Sequence, residues 1–352
     1  MRFLIIKTSS LGDILQSFGV VEYLHQKFPD SEIDWLVEKE GYPLVQSHPL
    51  IDQAIVCNVS LLRRKKYDVV FDLQGNMKSG FWTLASLGRK KVGFGRKTVR
   101  EWPNLIATNT RYEVDKGLNI SLYYLDLVKQ YFQDPAPFTP SPISLKISLE
   151  EQKKIKTILT SLRNDLKIMV CAGSSWPNKK VSDEALIHFL KKISEASHPF
   201  FLVVSGNDEE KRLGETLVSL FPKRGILLDR MPIPTWQHLI MGCDLVIGMD
   251  SSPLYLAATT TTPTFSIFGP TDPKIFKPLG QQHVAVMGRC PYDLRYDKQC
   301  PKLRSCPTGG CVKNLTGEYL FEILNEKKGI IALSRRCEKE KSEIKPEELH
   351  KT

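Results

Sequence analysis

Short, nearly continuous apolar runs alternate with stretches of helical spacing along most of this chain. Residues 3–6 (Phe-Leu-Ile-Ile) form the first run, and Ile14, Leu15, Phe18, Val21 and Leu24 then recur at helical spacing. Further strand candidates fall at 32–37, 53–56 and 67–73, and a second series at 167–171, 200–204, 225–228, 245–248 and 264–268. Runs that are apolar throughout, rather than alternating, suit strands covered on both faces. Strands separated by helix-length segments predict parallel pairing through crossover helices, hence α/β sheets of the Rossmann type.

Between the two series lies a segment with Pro135, Pro137, Pro140 and Pro142, which fixes backbone angles and removes donors, as a linker does. The chain has 352 residues, enough for two domains. Residues 1–140 are expected to form one Rossmann-like domain and 141–333 a second, with 334–352 a charged tail, helical or disordered. Lys and Arg total 49 against 39 Asp and Glu, a net charge of +10 that favours an anionic partner. Nucleic acid is set aside, because no aromatic residues interleave with the basic clusters on a recognised binding module. No apolar run approaches the roughly 20 residues that span a bilayer. The opening run is too short for a signal peptide, so a cytoplasmic protein is expected.

Chemistry concentrates in the turns that follow strands. Ser9, Ser10 and Gly12 can offer hydroxyls and backbone N–H groups to a ligand, and Asp13 either enters that cleft or caps the helix. The turn Asp72-Leu73-Gln74-Gly75-Asn76-Met77-Lys78 suits sugar hydroxyls, or is a plain β–α loop. Ala172-Gly173-Ser174-Ser175 lets the backbone approach a phosphate, with Lys179 and Lys180 close behind, unless these are a solvated pair. Asp250, Ser251, Ser252 and Pro253 open a helix whose orphan N–H groups make a diphosphate seat or simply a well-capped start. A last turn reads Phe268-Gly269-Pro270-Thr271-Asp272-Pro273. No Walker loop and no G-x-G-x-x-G is present.

Taken together and in order, K-T-S-S-L-G-D, D-L-Q-G-x-x-K-S, A-G-S-S…K-K, M-D-S-S-P-L-Y-L-A and F-G-P-T-D-P resemble glycosyltransferase family 9, the lipopolysaccharide heptosyltransferases. The resemblance spans residues 1 to about 330 and implies a GT-B fold, with two facing Rossmann-like domains. It implies an inverting transfer of heptose from ADP-heptose onto Kdo-lipid A or a heptosylated inner core. Asp13 is then the general base, since a sugar hydroxyl attacks well only as its proton is taken. Lys179, with Lys180 as its competitor, and the helix start at Ser251 and Ser252 stabilise the departing ADP. Glu210, with Glu209 close enough to compete, matches the ribose-binding acid, Met231 falls near the adenine, and Ser9, Ser10, Gly12, Ser174, Asp250 and Tyr255 complete the donor side. No cofactor or metal is required in this scheme, and the chain lacks the D-x-D motif of metal-dependent transferases. The chain departs from the family in carrying Tyr255 where histidine is usual and Ser252 where glycine is usual.

The acceptor carries carboxylates and phosphates, so a basic acceptor domain is expected, with Arg63, Arg64, Gln74, Lys78 and Arg100 as candidates. The expected enzyme is a monomer peripheral to the anionic cytoplasmic face of the inner membrane. The alternatives are a family relative using another nucleotide sugar and a non-catalytic binding protein. Cys290, Cys300, Cys306 and Cys311 crowd together without C-x-x-C pairs, so they are free thiols or a structural zinc site.

Overall fold

A computed structural model describes residues 1–162 and 166–328, and the expected tail at 334–352 lies outside them. The chain divides into two compact units: Met1–Ser148 with Pro232–Gln237, and Leu149–Met231 with His238 onward. Residues 135–148 contain no helix or strand, as expected of a linker, and lead into the second unit a few residues later than the prolines suggest.

The first unit holds strands β1 Arg2–Ile6, β2 Glu32–Val37, β3 Gln53–Val56, β4 Tyr67–Asp72, β5 Gly88–Phe94 and β6 Thr110–Tyr112 in the order β3-β2-β1-β4-β5-β6. Its pairs are all parallel. The helices are α1 Leu11–Gln16, α2 Phe18–Lys27, α3 Tyr42–Gln46, α4 Val59–Leu62, α5 Met77–Ala85 and α6 Ile120–Tyr131. The single helix expected from Ile14 to Leu24 is divided at Ser17, whose hydroxyl donates to the Asp13 and Ile14 carbonyls at 3.0 and 2.9 Å. Alternate residues of β1 serve two cores. Leu4 and Ile6 join Leu36, Ile55 and Val70 on one face. On the other, Phe3 meets Phe28, Phe71 and Phe132 at ring distances of 5.5, 6.2 and 6.1 Å. Burying each such side chain is worth about 1.5–3 kcal/mol, which is why these runs show no polar alternation.

The second unit repeats the plan with α7 Leu149–Ser161, β7 Lys167–Cys171, α8 Asp183–Ser197, β8 Phe200–Val204, α9 Asp208–Leu220, β9 Gly225–Leu228, α10 Ile233–Met241, β10 Leu245–Met249, α11 Ser252–Ala257, β11 Thr264–Phe268, α12 Pro273–Phe276, β12 His283–Met287, α13 Gly310–Lys313 and α14 Gly317–Lys328. Its sheet runs β12-β11-β10-β7-β8-β9, again parallel throughout. Ile168, Val170, Phe189, Phe201, Ile247 and Phe265 fill the core. Both sheets therefore reverse direction of winding once: between β1 and β4 in the first unit, and between β7 and β10 in the second. In open parallel sheets ligands bind at that reversal, outside the carboxyl ends of the strands.

Candidate active site

Four of the motifs singled out in the sequence occupy the two reversals. The Asp13 turn follows β1 and the Asp72–Gly75 turn follows β4, whose last residue pairs with Ile6. The Ala172–Lys180 loop follows β7, and Asp250–Ser252 follows β10, where Gly248 pairs with Cys171.

At the first reversal Asp13 does two jobs. One carboxylate oxygen accepts the Ser10 N–H at 3.2 Å and the Ser10 hydroxyl at 3.0 Å, so Asp13 helps to cap its own helix. The other accepts the Tyr124 hydroxyl at 3.1 Å. Lys7, almost fully buried, donates to that same hydroxyl at 2.9 Å and lies 3.9 Å from the Asp13 carboxylate. Its ammonium also sits 4.5 Å from the centre of the Tyr124 ring. Burial raises the Asp13 pKa, but the Lys7 charge and the hydrogen bonds from Ser10 and Tyr124 outweigh it and hold the carboxyl below the usual range. Burial, then the charge of Asp13, pushes Tyr124 well above an ordinary phenol, so its hydroxyl stays a donor. The result is a carboxylate kept ionised at a strand end, with a side still open to solvent.

The neighbouring turn is built by Asp72, which is fully buried. It accepts the N–H groups of Gln74 and Gly75 at 3.0 and 2.9 Å, the hydroxyls of Ser79 and Thr83 at 2.9 and 3.1 Å, and the Asn104 amide at 2.6 Å. Gly75 adopts φ +70°, and a side chain there would press on Phe94, so glycine is required. The Gly75 carbonyl accepts the Glu101 N–H at 3.0 Å, which sets Arg100 beside the turn, close enough for its charge to be felt at Tyr124. The buried Gln74 Oε1 and Thr8 Oγ1 have no hydrogen-bond partner among the described residues. Gln74 and Arg100 thus join Asp13, while Lys78 is engaged by Glu38 at 2.5 Å. Arg63 and Arg64 go elsewhere. They precede β4, and in a parallel sheet every strand starts at the edge opposite Asp13; Arg63 Nε donates to the Ala85 carbonyl at 3.0 Å.

At the second reversal the geometry separates residues that spacing alone leaves as rivals. Lys179 reaches the buried Asp250 carboxylate at 2.5 Å, whereas Lys180 pairs with Glu209 at 2.9 Å. Asp250 also accepts the Thr271 hydroxyl at 2.6 Å and the Tyr255 hydroxyl, so the tyrosine standing at the family's histidine position is a donor to this carboxylate. Ser251, the N-cap of α11, donates to the Gly173 carbonyl at 3.0 Å and draws the two loops together. Glu210 accepts from Gly206 N–H at 2.7 Å and Asn207 at 3.0 Å, and its carboxylate lies against Gly173, where a side chain would have to push it aside. Ser174 is buried in the same loop, and Met231 follows β9. Ser9 stands in the turn its motif predicts, while Gly12 and Ser252 lie in the first turns of α1 and α11.

The cysteine segment supports these loops. Asn178 donates to the Leu303 and Cys306 carbonyls at 2.9 and 3.0 Å, and Cys300 N–H donates to Pro270 O at 2.7 Å. Cys290, Cys300, Cys306 and Cys311 line one cavity of about 390 Å³. Among the described residues no group of three or more His, Cys, Asp or Glu is arranged to hold a metal ion. Cys306 accepts the Gly309 N–H at 3.4 Å, and burial, then the charges of the neighbouring cysteines, pushes the Cys311 thiol up to about 11. Sequence reasoning passed over Tyr124 and quoted Lys7, Thr8 and Thr271 without giving them a role. Lys7 and Thr271 stand inside the motifs, but Tyr124 carries no local signal.

The profile of glycosyltransferase family 9 (heptosyltransferase) matches residues 59–304. The chain is 28% identical over 294 residues to lipopolysaccharide heptosyltransferase 1 of Campylobacter coli, covering 77% of this chain and 84% of that protein. It is 24% identical over 323 residues to lipopolysaccharide heptosyltransferase 1 of Pseudomonas aeruginosa, covering 85% and 87%. Its fold is that of E. coli heptosyltransferase WaaC with ADP, at a TM-score of 0.75 and 20% identity over 93% of this chain and 100% of that one. E. coli ADP-heptose lps heptosyltransferase II aligns at a TM-score of 0.73 and 19% identity, over 96% and 100%. With the family profile covering most of the chain and the α/β GT-B fold shared along nearly its whole length, this protein belongs to glycosyltransferase family 9, the heptosyltransferases.

Proposed function

We propose that the protein transfers heptose, with inversion, from ADP-heptose to the Kdo or heptose inner core of lipopolysaccharide. The observation that carries this reading is the Lys7–Tyr124–Asp13 arrangement, an ionised carboxylate fixed at the strand reversal of the first unit. The names of the relatives support the sugar, and solved structures of WaaC with ADP and with ADP-2-deoxy-2-fluoro heptose support the donor. In this reading the first unit binds the acceptor and the second the donor. Asp13 takes the proton of the acceptor hydroxyl as that oxygen bonds to the anomeric carbon, and ADP leaves from the opposite face. Lys179 and the N–H groups at the start of α11 stabilise the charge gathering on the diphosphate, and Asp250, held by Tyr255 and Thr271, keeps the lysine in place. Glu210 binds the ribose, and Met231 borders the adenine. Gln74 and Arg100 orient the acceptor, with its acidic groups drawing on the basic surface. The scheme calls on no metal. No described helix is long and apolar enough to cross a membrane, so the lipid-linked acceptor would be met at the bilayer surface.

Asp13→Asn tests the assignment. Transfer from ADP-heptose to Kdo-bearing lipid A should fall by about 10²- to 10⁴-fold while ADP binding is kept. Turnover near the wild-type rate would remove Asp13 from the role of base.

A further inference from the structure

Helix α5 turns Ser79 and Thr83 inward onto the Asp72 carboxylate and packs Trp82 and Ala85 on the core, while Met77, Phe81 and Leu84 form an outward stripe and are 61%, 55% and 53% exposed. The turn at Trp102–Ile106 packs beside it, with Asn104 pressed so closely on Gly80 that a side chain there would meet it at 3.2 Å. That turn exposes Trp102 and Ile106 at 72% each. Five large apolar side chains therefore project from two adjoining elements of one unit, where a soluble surface ordinarily keeps such groups apart.

The rim of this patch is cationic, and its cations are anchored to the same two elements. Lys91 Nζ donates to the Leu84 carbonyl and Arg63 Nε to the Ala85 carbonyl, each at 3.0 Å. Arg111 Nη2 donates to the Leu105 carbonyl at 2.5 Å, and Arg111 shares with Arg96 and Trp102 a cleft of about 430 Å³. The nearby carboxylates are engaged locally. Glu101 accepts the Met77 N–H at 2.8 Å, and Glu113, also in the cleft, accepts the Lys97 N–H at 3.1 Å.

We infer that the face formed by α5 and the Trp102–Ile106 turn docks on an anionic lipid bilayer, apolar side chains entering the headgroup layer and the arginines and lysines meeting lipid phosphates. Charge complementarity selects this occupant. A second copy meeting the patch symmetrically would bring the same basic rim against itself, whereas an anionic bilayer satisfies the stripe and the rim together. Tryptophan at the boundary suits the headgroup level. The inference rests on the proposed lipid-linked acceptor for its purpose, but not for its test.

The test uses the full chain without donor or acceptor, so it stands or falls apart from the transfer reaction. Sedimentation with phosphatidylglycerol-containing vesicles should show binding that pure phosphatidylcholine vesicles do not support. The double variant Phe81→Ser with Trp102→Ser should bind the anionic vesicles about tenfold more weakly. Both positions are exposed, so its circular dichroism and ADP affinity should be unchanged. Anionic vesicles should shift tryptophan emission to the blue in the wild type, and Trp102→Phe should lose that shift while still sedimenting. Equal vesicle binding by wild type and double variant would overturn the inference. So would a wild-type dimer that the double variant dissolves with no change in vesicle binding, because the occupant would then be a second copy.

Discussion

Tyr124 stands between an ammonium and a carboxylate, and its hydroxyl is the part of the first-unit site that can be removed with least disturbance to shape. In Tyr124→Phe, Asp13 loses a hydrogen bond that favours its charged form, so its pKa rises. The sign follows for activity: a base with a higher pKa is protonated at higher pH, and the acid limb of the transfer profile should move upward. A hydrogen bond to a charged group is worth about 1.5–3 kcal/mol, so a loss of about tenfold or more in kcat is expected. ADP affinity should be unchanged. An acid limb coincident with wild type would show that Tyr124 does not hold the base. Asp13 and Gln74 in the first unit, and Asp250 and Lys179 in the second, could be singled out because each lies in a polar turn just after an apolar run. Tyr124 could not, because it comes from a helix 111 residues away whose apolar spacing reads as ordinary core. Arg63 and Arg64 show the converse failure. A run of charge has no direction, and only their position before β4 tells that they stand at the wrong edge of the sheet.

The behaviour of α5 makes sense only at the scale of the element. Its serine and threonine point inward because Asp72, buried at the end of β4, needs donors, and the turn that offers Gln74 and Gly75 is shaped by the same carboxylate. Asp72→Ala would leave two N–H groups, two hydroxyls and the Asn104 amide without their acceptor. Each buried donor so stranded costs about 1–3 kcal/mol, partly relieved by entering water, so a loss of at least about 3 kcal/mol is expected in urea unfolding of the first unit. ADP binding should persist, since the proposed donor residues belong to the second unit. A change below about 1 kcal/mol would mean that the turn is held by packing instead. Elements with a continuous apolar run were readable from sequence: β2, β3 and β8 fall at the expected residues. Those missed lie toward sheet edges. β5 opens with Gly88 and the charged Arg89-Lys90-Lys91, the first two of these exposed, β6 is three residues long at one edge, and β12 is a partly exposed edge strand of the other sheet. β3 and β9 are edge strands too, but they carry apolar runs; where an edge strand is short or charged, as here, it leaves little periodicity to read.

At the scale of the whole molecule, one design is used twice, and sequence order alone describes it incompletely. The division falls after Ser148, past the prolines, and residues 232–237 belong with the first unit although they follow most of the second. The reason lies in Gln237, which accepts the Leu145 N–H at 2.8 Å and donates to the Ile143 carbonyl at 3.2 Å, clasping the linker strand. The second unit keeps an ion pair, Lys179 with Asp250, at the place where the proposed diphosphate would sit, and this ties ligand binding to stability. A saturating ligand adds stability as RT ln(1 + [L]/Kd), about 2.7 kcal/mol at one hundred times Kd, so ADP should raise the thermal midpoint of the wild type. Lys179→Ala strands a buried carboxylate, which costs about 3–5 kcal/mol, and it should lower the midpoint as well as abolish the ADP response. Adding Asp250→Asn removes the stranded charge. The double variant should therefore recover much of the lost midpoint and still ignore ADP. Recovery of the midpoint without the response would separate the two roles of Lys179, structural cation and phosphate ligand. A double variant that again responds to ADP as wild type does would show that the diphosphate is held without Lys179.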